Sequence, residues 1–224
     1  MAPFLTQSVF FGVIGGLGLF IFGMKIMSEG LQKVAGDRIR KILAALTNNR
    51  LVGMLVGIAV TALIQSSSAT TVMVVGFVNA GLMSLVQSIG VILGANIGTT
   101  VTAQLIAFNI TQYALPAIAL GVGLKLFARK KKWTYFGEVI LGFGILFFGL
   151  AVMKDSLGPI KDSEAFRALF LFIGDNHLLG IMLGALITLI LQSSSATIGI
   201  TMALAANGLL SFEGSVALIM GENI

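Results

Sequence analysis

The chain has 224 residues, of which 57% are hydrophobic and 10% are charged, and its formal net charge is +5. Soluble domains carry about 25% charged residues, so this composition excludes an ordinary soluble protein and predicts an integral membrane protein. No cysteine is present, which excludes disulfides and thiol chemistry. The basic residues lie in two loops that border apolar runs, so we interpret them as a topology signal and not as a nucleic-acid site.

The first apolar run, Phe4–Met27, is long enough to cross a bilayer, which takes about 17–25 residues. The next segment, 28–50, is mixed and charged, with apolar residues near helical spacing. This pattern predicts an amphipathic helix at the membrane surface.

Two short apolar runs then flank a polar packet, Gln65-Ser-Ser-Ser-Ala-Thr-Thr71. As a helix, Leu51–Ile64 would reach about 21 Å, which is short of the roughly 30 Å hydrocarbon core. Hydroxyls without partners in hydrocarbon cost several kcal/mol, so we expect the packet to meet protein, water or a ligand. We predict a re-entrant helical hairpin over about 51–78, with the packet at its tip.

A turn signal at Asn79–Gly81 precedes a longer run, 85–108, which is apolar except for Gly94–Thr100. We predict a discontinuous helix over about 85–108 with an unwound polar middle, whose backbone carbonyls would suit Na⁺. Tyr113–Ala128 is predicted to be the next full span, and four cations at 129–132 follow it.

The second half of the chain repeats the first. Leu178–Ile224 aligns with Leu51–Ile97 at an offset of 127 residues, and a second packet, Gln192-Ser-Ser-Ser-Ala-Thr197, falls on the first. We therefore predict an all-α integral membrane protein of two repeats, 1–134 and 135–224, the second with a hairpin over about 178–206.

The charges predict how the repeats are oriented. The positive-inside rule places the loops 28–50 and 129–134 in the cytoplasm. An odd number of crossings per repeat then makes the two topologies inverted, so that the two hairpin tips meet near the middle of the membrane. Inverted repeats with broken helices are typical of secondary transporters.

The candidate binding residues are the polar side chains of the two tips and of the predicted helix break. Helix N-termini and hydroxyls suit an oxyanion, and the same neutral oxygens suit a cation. A carboxylate replaces Ala95 in the second repeat, and a buried membrane carboxylate is a functional candidate. The set comprises Gln65, Ser66, Ser67, Ser68, Thr70, Asn96, Thr99, Thr100, Gln192, Ser193, Ser194, Ser195, Thr197, Glu222 and Asn223.

The doubled packet, with Gly94-Ala-Asn-Ile-Gly-Thr-Thr100 after the first copy, resembles the type II sodium/phosphate cotransporter family. The resemblance implies sodium-driven symport of inorganic phosphate across the plasma membrane, with phosphate and Na⁺ bound by Gln65–Thr70, Gln192–Thr197 and the region Asn96–Thr100. It implies Na⁺ as the coupling ion without another cofactor, a lipid bilayer as the surroundings and no nucleic-acid partner, and it leaves homo-oligomerisation open. The chain stops at Ile224, where a second Gly-Thr-Thr is expected, so we expect a fragment or an early stop.

Several alternatives remain at this point. Neutral hydroxyl sites also suit another small oxyanion, such as sulfate or a carboxylate, and they leave H⁺ open as the coupling ion in place of Na⁺. The early stop also suits a non-transporting membrane regulator. Two dead-ended hairpins disfavour a channel. An intramembrane serine hydrolase is disfavoured because no base accompanies the serines, and we expect no enzyme activity.

Overall fold

A computed structural model describes residues 3–35, 49–108, 110–160, 163–164 and 176–224. These residues form helices and no strands, which confirms the predicted all-α class. In chain order the helices are α1 (Pro3–Ala35), α2 (Arg50–Ile64), α3 (Ser67–Asn79), α4 (Leu85–Ala107), α5 (Ala114–Phe127), α6 (Lys131–Leu157), α7 (His177–Leu191), α8 (Ser194–Ala206) and α9 (Phe212–Glu222). Short 3-10 turns occupy Thr111–Tyr113 and Gly158–Ile160.

Three of these helices carry segments long and apolar enough to cross a membrane, which are Gln7–Ala35, Leu85–Ala107 and Lys131–Leu157. Many large apolar side chains are exposed along the helices, including Val72, Leu85 and Phe127. Water would make such exposure unfavourable, whereas lipid tails would not. The chain is therefore a membrane protein.

The first helix runs further than predicted. It continues through Ala35, eight residues beyond the expected end at Met27, so the first part of the predicted surface helix is the last part of α1. The segment 28–35 holds Glu, Leu, Gln and Lys and no proline, which favours continued helix. Residues 36–48 of the predicted surface helix lie outside the described residues.

The predicted break in α4 is wrong. The structure shows one continuous helix from Leu85 to Ala107. Gly94 and Gly98 do not unwind the helix but let it approach α2, because a Cβ on Gly94 would overlap the carbonyl oxygen of Met54. A Cβ on Gly98 would lie 2.8 Å from the carbonyl oxygen of Ile58.

The polar side chains of this motif are also compatible with an intact helix. The Thr99 hydroxyl donates to the Ala95 carbonyl oxygen at 3.4 Å, and the Thr100 hydroxyl donates to the Ile97 carbonyl oxygen at 2.7 Å. Such bonds to the preceding turn satisfy a threonine without opening the helix. The expected set of free backbone carbonyls for Na⁺ is therefore not present in α4.

The predicted span Tyr113–Ala128 corresponds to α5, which has 14 residues and follows a 3-10 turn. At 1.5 Å per residue it reaches about 21 Å, less than the bilayer core. It is shorter than the full span that we predicted, because the residues before Ala114 form the tighter 3-10 turn instead of another turn of α-helix.

The chain forms two compact units. The α2–α4 unit comprises Met24–Phe108 and Pro116–Phe143, and the α7–α9 unit comprises Met1–Gly23, Asn109–Leu115 and Gly144–Ile224. Since α1 and α6 each contribute to both, the units cut across the two predicted repeats. The boundary at 134/135 and the inverted topology stay predictions.

In the α2–α4 unit, α2 and α4 run parallel. A Cβ on Gly90 near the start of α4 would lie 2.6 Å from the carbonyl oxygen of Arg50 at the start of α2. Later in both helices, the Thr102 hydroxyl bonds the side chain of Gln65, just beyond the end of α2. The short turn 80–84 joins the end of α3 to the start of α4, so α3 must return along α2 and make a hairpin. Apolar side chains from all three helices form the core, among them Val56, Val60, Ile64, Val74 and Val91.

The α7–α9 unit repeats this close packing. A Cβ on Gly184 would overlap the carbonyl oxygen of Leu218, and one on Gly221 would overlap that of Ile181. The matching pairs 127 residues earlier, Gly57 with Val91 and Gly94 with Met54, make the same contacts. Glycine is needed at these positions because helix backbones touch there, as is common between membrane helices.

Candidate functional site

Both polar packets form a sharp break between two helices. Gln65 and Gln192 end α2 and α7 with φ angles of 59° and 53°, and they are the only non-glycine residues with positive φ among those described. Their backbone N–H groups donate to the carbonyl oxygens of Thr61 at 2.6 Å and Thr188 at 2.7 Å. A left-handed non-glycine residue costs about 1–2 kcal/mol, so the surroundings must hold each glutamine in place.

One serine in each packet starts the next helix. The Ser66 hydroxyl oxygen accepts a hydrogen bond from the Ala69 N–H at 3.1 Å. The Ser193 hydroxyl oxygen accepts one from the Ala196 N–H at 3.3 Å. Both residues are N-caps, a position at which serine is strongly preferred. Ser66 and Ser193 therefore each have a structural role at the tips, as the cap of the following helix.

One threonine in each packet joins the two helices of its hairpin. The Thr70 and Thr61 hydroxyl oxygens lie 3.0 Å apart, and both side chains are buried. The Thr197 and Thr188 hydroxyl oxygens lie 2.8 Å apart. Thr61 and Thr188 were not among the predicted site residues, although each lies on the same helix face as the glutamine four residues later.

The second and third serines of each packet carry uncommitted hydroxyls. Within the described part of the chain, Ser67, Ser68, Ser194 and Ser195 make no side-chain hydrogen bond. They form the first turn of α3 and of α8, where backbone N–H groups have no partner inside the helix. Ser68 is exposed, whereas Ser195 is buried within the α7–α9 unit.

The amide of Gln65 is fixed at both ends. Its Nε2 atom donates to the carbonyl oxygen of Ala62 at 2.5 Å, and its Oε1 atom accepts from the Thr102 hydroxyl at 2.7 Å. Thr102 was not among the predicted site residues, because it lies beyond the predicted polar middle, in the apolar run that follows Thr100. The spacing of Gly94, Gly98 and Thr102 by four residues would have placed the threonine on the helix face that meets α2.

The tip of the first hairpin is also bound from α1. The Ser28 hydroxyl donates to the carbonyl oxygen of Ile64, the last residue of α2. No local pattern predicts this contact, because Ser28 falls where the predicted surface helix begins. In the second hairpin, Gln192 is exposed and its Nε2 atom donates to the Leu189 carbonyl oxygen at 2.6 Å.

Three predicted residues of α4 are not gathered at this tip. Asn96 and Thr100 are exposed, and each lies two residues from a glycine that faces α2, which turns them to the other side of the helix. Thr99 is half-buried. Their assignment to a binding site stays a prediction.

The end of α9 holds the last two candidates. Glu222 is buried, and its Oε2 atom has no hydrogen-bond partner among the described residues. Asn223 is exposed, and its Nδ2 atom donates to the carbonyl oxygen of Ile219 at 2.9 Å. The described part of the chain holds no group of three or more His, Cys, Asp or Glu side chains that could bind a metal ion. The carboxylate among the predicted site residues is that of Glu222, and the other candidates offer neutral oxygens.

An all-α membrane fold with two polar helix breaks is typical of secondary transporters. The family model described as Na⁺/Pi-cotransporter matches residues 19–155 and 161–224. The chain belongs to this family of transporters, which are not enzymes by class.

The relatives agree with this assignment. The chain is 29% identical over 212 residues to YjbB of Escherichia coli strain K12, whose name proposes inorganic phosphate export; the match covers 95% of this chain and 39% of YjbB. It is 30% identical over 205 residues to YqeW of Bacillus subtilis strain 168, a protein named as uncharacterized, covering 92% of this chain and 66% of YqeW.

A shorter match is the rat sodium-dependent phosphate transport protein 2A, which is 39% identical over 99 residues, covering 42% of this chain and 15% of the rat protein. The chain thus spans about two fifths of the length of YjbB and less of the rat protein. No solved structure matches the chain.

Proposed function

We propose that this protein carries inorganic phosphate across the plasma membrane in symport with Na⁺, and that the two helix breaks bind the substrate. The observation that carries the proposal is the pair of uncommitted serine hydroxyls at each tip, Ser67 with Ser68 and Ser194 with Ser195. Membership of the Na⁺/Pi-cotransporter family supports phosphate as the substrate. The name of the rat relative supports sodium dependence.

The first turn of a helix is suited to an oxyanion such as phosphate. Its free N–H groups point outward along the helix axis, and the helix dipole favours negative charge there. The serine hydroxyls of α3 and α8 add further donors beside these N–H groups. Each tip can therefore surround part of a phosphate ion without a lysine or arginine.

The lack of basic groups at the tips supports coupling to a cation. Neither polar packet, 65–71 or 192–197, contains a lysine, an arginine or a histidine. A phosphate ion bound by neutral donors alone keeps its full negative charge in a low-dielectric site. A bound Na⁺ would offset that charge, which would make the binding of the two ions cooperative.

A second candidate concerns the direction of transport. The name of YjbB proposes phosphate export, and the match to YjbB covers nearly all of this chain. The same site could then release phosphate outward. Flux measured from preloaded vesicles, compared with flux into empty ones under the same Na⁺ gradient, would separate export from uptake.

The serines do not select phosphate over other oxyanions. Hydroxyls donate and accept, so they suit sulfate and carboxylates as well as a protonated phosphate oxygen. Competition of unlabelled sulfate and acetate against labelled phosphate tests this alternative. Inhibition by either anion at concentrations similar to phosphate would replace the phosphate assignment with a broader one.

The orientation in the plasma membrane is part of the proposal. The cations at 129–132 follow α5 directly, and their number favours a cytoplasmic loop. The 224 residues contain no cysteine, so Lys131→Cys introduces a single label site into them. An impermeant maleimide should label it in inside-out vesicles and not in intact cells, and the reverse result would overturn the orientation.

The test of function is labelled phosphate uptake into proteoliposomes that contain the protein as encoded, with external Na⁺ or K⁺. We expect uptake only with Na⁺, at least tenfold weaker in Gln65→Ala and Gln192→Ala. Gln112→Ala is the matched control, because Gln112 is exposed outside both tips. Uptake indifferent to Na⁺ would overturn sodium coupling, and the absence of any phosphate flux would favour a non-transporting regulator.

A further inference from the structure

Glu222 differs from the other polar side chains of the described residues in its combination of burial and missing hydrogen bonds. The side chain is 6% exposed, and its Oε2 atom is the only buried side-chain nitrogen or oxygen there without a hydrogen-bond partner. It shares one face of α9 with Gly214 and Leu218, which are also buried. The residue is therefore packed into the α7–α9 unit and is not turned to the outside.

The backbone next to Glu222 lies directly against α7. A Cβ on Gly221 would overlap the carbonyl oxygen of Ile181 and would lie 2.9 Å from the backbone nitrogen of Ala185. Thr188, which is bonded to the packet residue Thr197, follows Ala185 by one helical turn. The carboxylate is thus carried by the part of α9 that packs on the tip-forming helix.

The Glu222 carboxylate forms no ion pair with the described residues. The ion pairs of the described residues belong to Glu138, in the α2–α4 unit, and none includes Glu222. A buried ionised carboxylate without a partner is costly, by several kcal/mol even after relaxation. A positively charged species must therefore accompany Glu222 whenever it is ionised.

The first repeat shows that the helix packing does not need a carboxylate. Ala95 occupies the matching position 127 residues earlier, and it is completely buried. The neighbouring contacts are the same in both units, with Gly57 on Val91 and Gly184 on Leu218. A methyl group is enough for this packing, so the carboxylate of Glu222 serves a purpose beyond it.

We propose that Glu222 is the charged ligand of a Na⁺ site in the α7–α9 unit, and that the matching position in the α2–α4 unit, Ala95, supplies no charged ligand. Hard cations prefer oxygen ligands, and a carboxylate adds the negative charge that neutral hydroxyls lack. The inference deepens the proposed function, on which it rests only for the choice of Na⁺ as the ion. The two units then differ, because the carboxylate that balances the charge of the bound Na⁺ lies in the α7–α9 unit.

The test measures Na⁺ binding to the purified protein as encoded, in the absence of phosphate. The melting temperature of the natural protein should be higher in Na⁺ than in K⁺. The natural protein should also bind ²²Na⁺. Glu222→Gln and Glu222→Ala should weaken Na⁺ affinity at least tenfold. Glu213→Gln is the matched control, because Glu213 lies on the same helix and is exposed, and its affinity should stay within twofold.

Glu222→Ala reproduces the alanine of the first repeat, so we expect it to fold. A second readout does not depend on any variant. A hydrophobic carbodiimide should modify Glu222 of the natural protein in K⁺, and Na⁺ should protect it, as measured by mass spectrometry. Modification that is equal in Na⁺ and K⁺, or Na⁺ affinity within twofold of natural in Glu222→Gln, would overturn the proposal.

The outcomes separate this inference from the phosphate proposal. Phosphate uptake driven by a proton gradient, with no Na⁺ binding, would overturn the Na⁺ site and leave phosphate transport standing. Na⁺ binding that requires Glu222, without phosphate flux in any gradient, would support the site and overturn phosphate as the cargo.

Discussion

The hydroxyl of Thr102 donates a hydrogen bond of 2.7 Å to the Oε1 atom of Gln65. This bond joins α4 to the residue at which α2 breaks, and the Nε2 atom of the same amide donates back to Ala62. The glutamine is thus held by two hydrogen bonds in a left-handed conformation that a non-glycine residue rarely adopts. The geometry of the first tip therefore depends on a residue from another helix.

Thr102→Val should loosen this tip while keeping the shape of the side chain. A hydrogen bond contributes about 0.5–1.5 kcal/mol, so we expect the KM for phosphate to rise by roughly twofold to tenfold. The melting temperature should fall slightly, since the lost partner leaves the Gln65 oxygen without its donor. Phosphate uptake in proteoliposomes and thermal unfolding in detergent measure the two effects.

Thr134→Val is the control for this change, because Thr134 lies on α6 and makes no side-chain hydrogen bond to the described residues. Its KM should match that of the natural protein. Equal KM values for Thr102→Val and the natural protein would show that the bond does not position the substrate site.

Gln65→Gly should separate the fold of the tip from its chemistry. Glycine adopts positive φ without the steric cost of a side chain, which offsets the lost amide bonds, so the melting temperature should be unchanged or higher. Transport should be lost with the amide. Gln65→Ile provides the contrast, since a β-branched residue is strongly disfavoured at positive φ and should lower stability by at least about 1–2 kcal/mol. If glycine and isoleucine had equal melting temperatures, the left-handed conformation would not be a constraint on this tip.

Gly57→Ala should disrupt the contact between α2 and α4. The added methyl group would overlap the carbonyl oxygen of Val91, so the helices must move apart, at a cost of about 1–3 kcal/mol. Gly76→Ala is the matched control on α3, since nothing lies within 4 Å of its Cβ position. That variant should be as stable as the natural protein or more stable, because alanine favours helix by about 1 kcal/mol over glycine. Thermal unfolding compares the two, and equal destabilisation by both would contradict the packing.

The Glu138 carboxylate on α6 pairs with lysines on α1 and α5. Its Oε2 atom lies 2.7 Å from the Lys33 ammonium, and its Oε1 atom lies 3.5 Å from that of Lys125. Both lysines are partly exposed, so each pair should contribute only about 0.2–1 kcal/mol. A double-mutant cycle of Glu138→Gln with Lys33→Met should give a larger coupling energy than the cycle with Lys125→Met, because the first pair is closer. The opposite order would show that the longer pair dominates.

Local composition determined where the two hairpins break. The polar packets interrupt apolar runs at Gln65 and Gln192, and the structure breaks both helices at these residues. The capping serines could also be predicted, since a serine before a helical run is a local signal. Hydropathy alone likewise established the all-α membrane class. These features depend on residues that are neighbours in the chain, and so the sequence alone predicts them.

The tertiary structure decided how the glycines pack and where Glu222 lies. Gly94 and Gly98 are compatible with a broken helix or with close packing, and only the position of α2 beside them selects packing. The contact of Thr102 with Gln65 and the burial of Glu222 likewise arise from helices that are distant in the chain. The physical reason is that a glycine permits a close approach without specifying its partner, and a polar side chain takes its role from the groups that surround it.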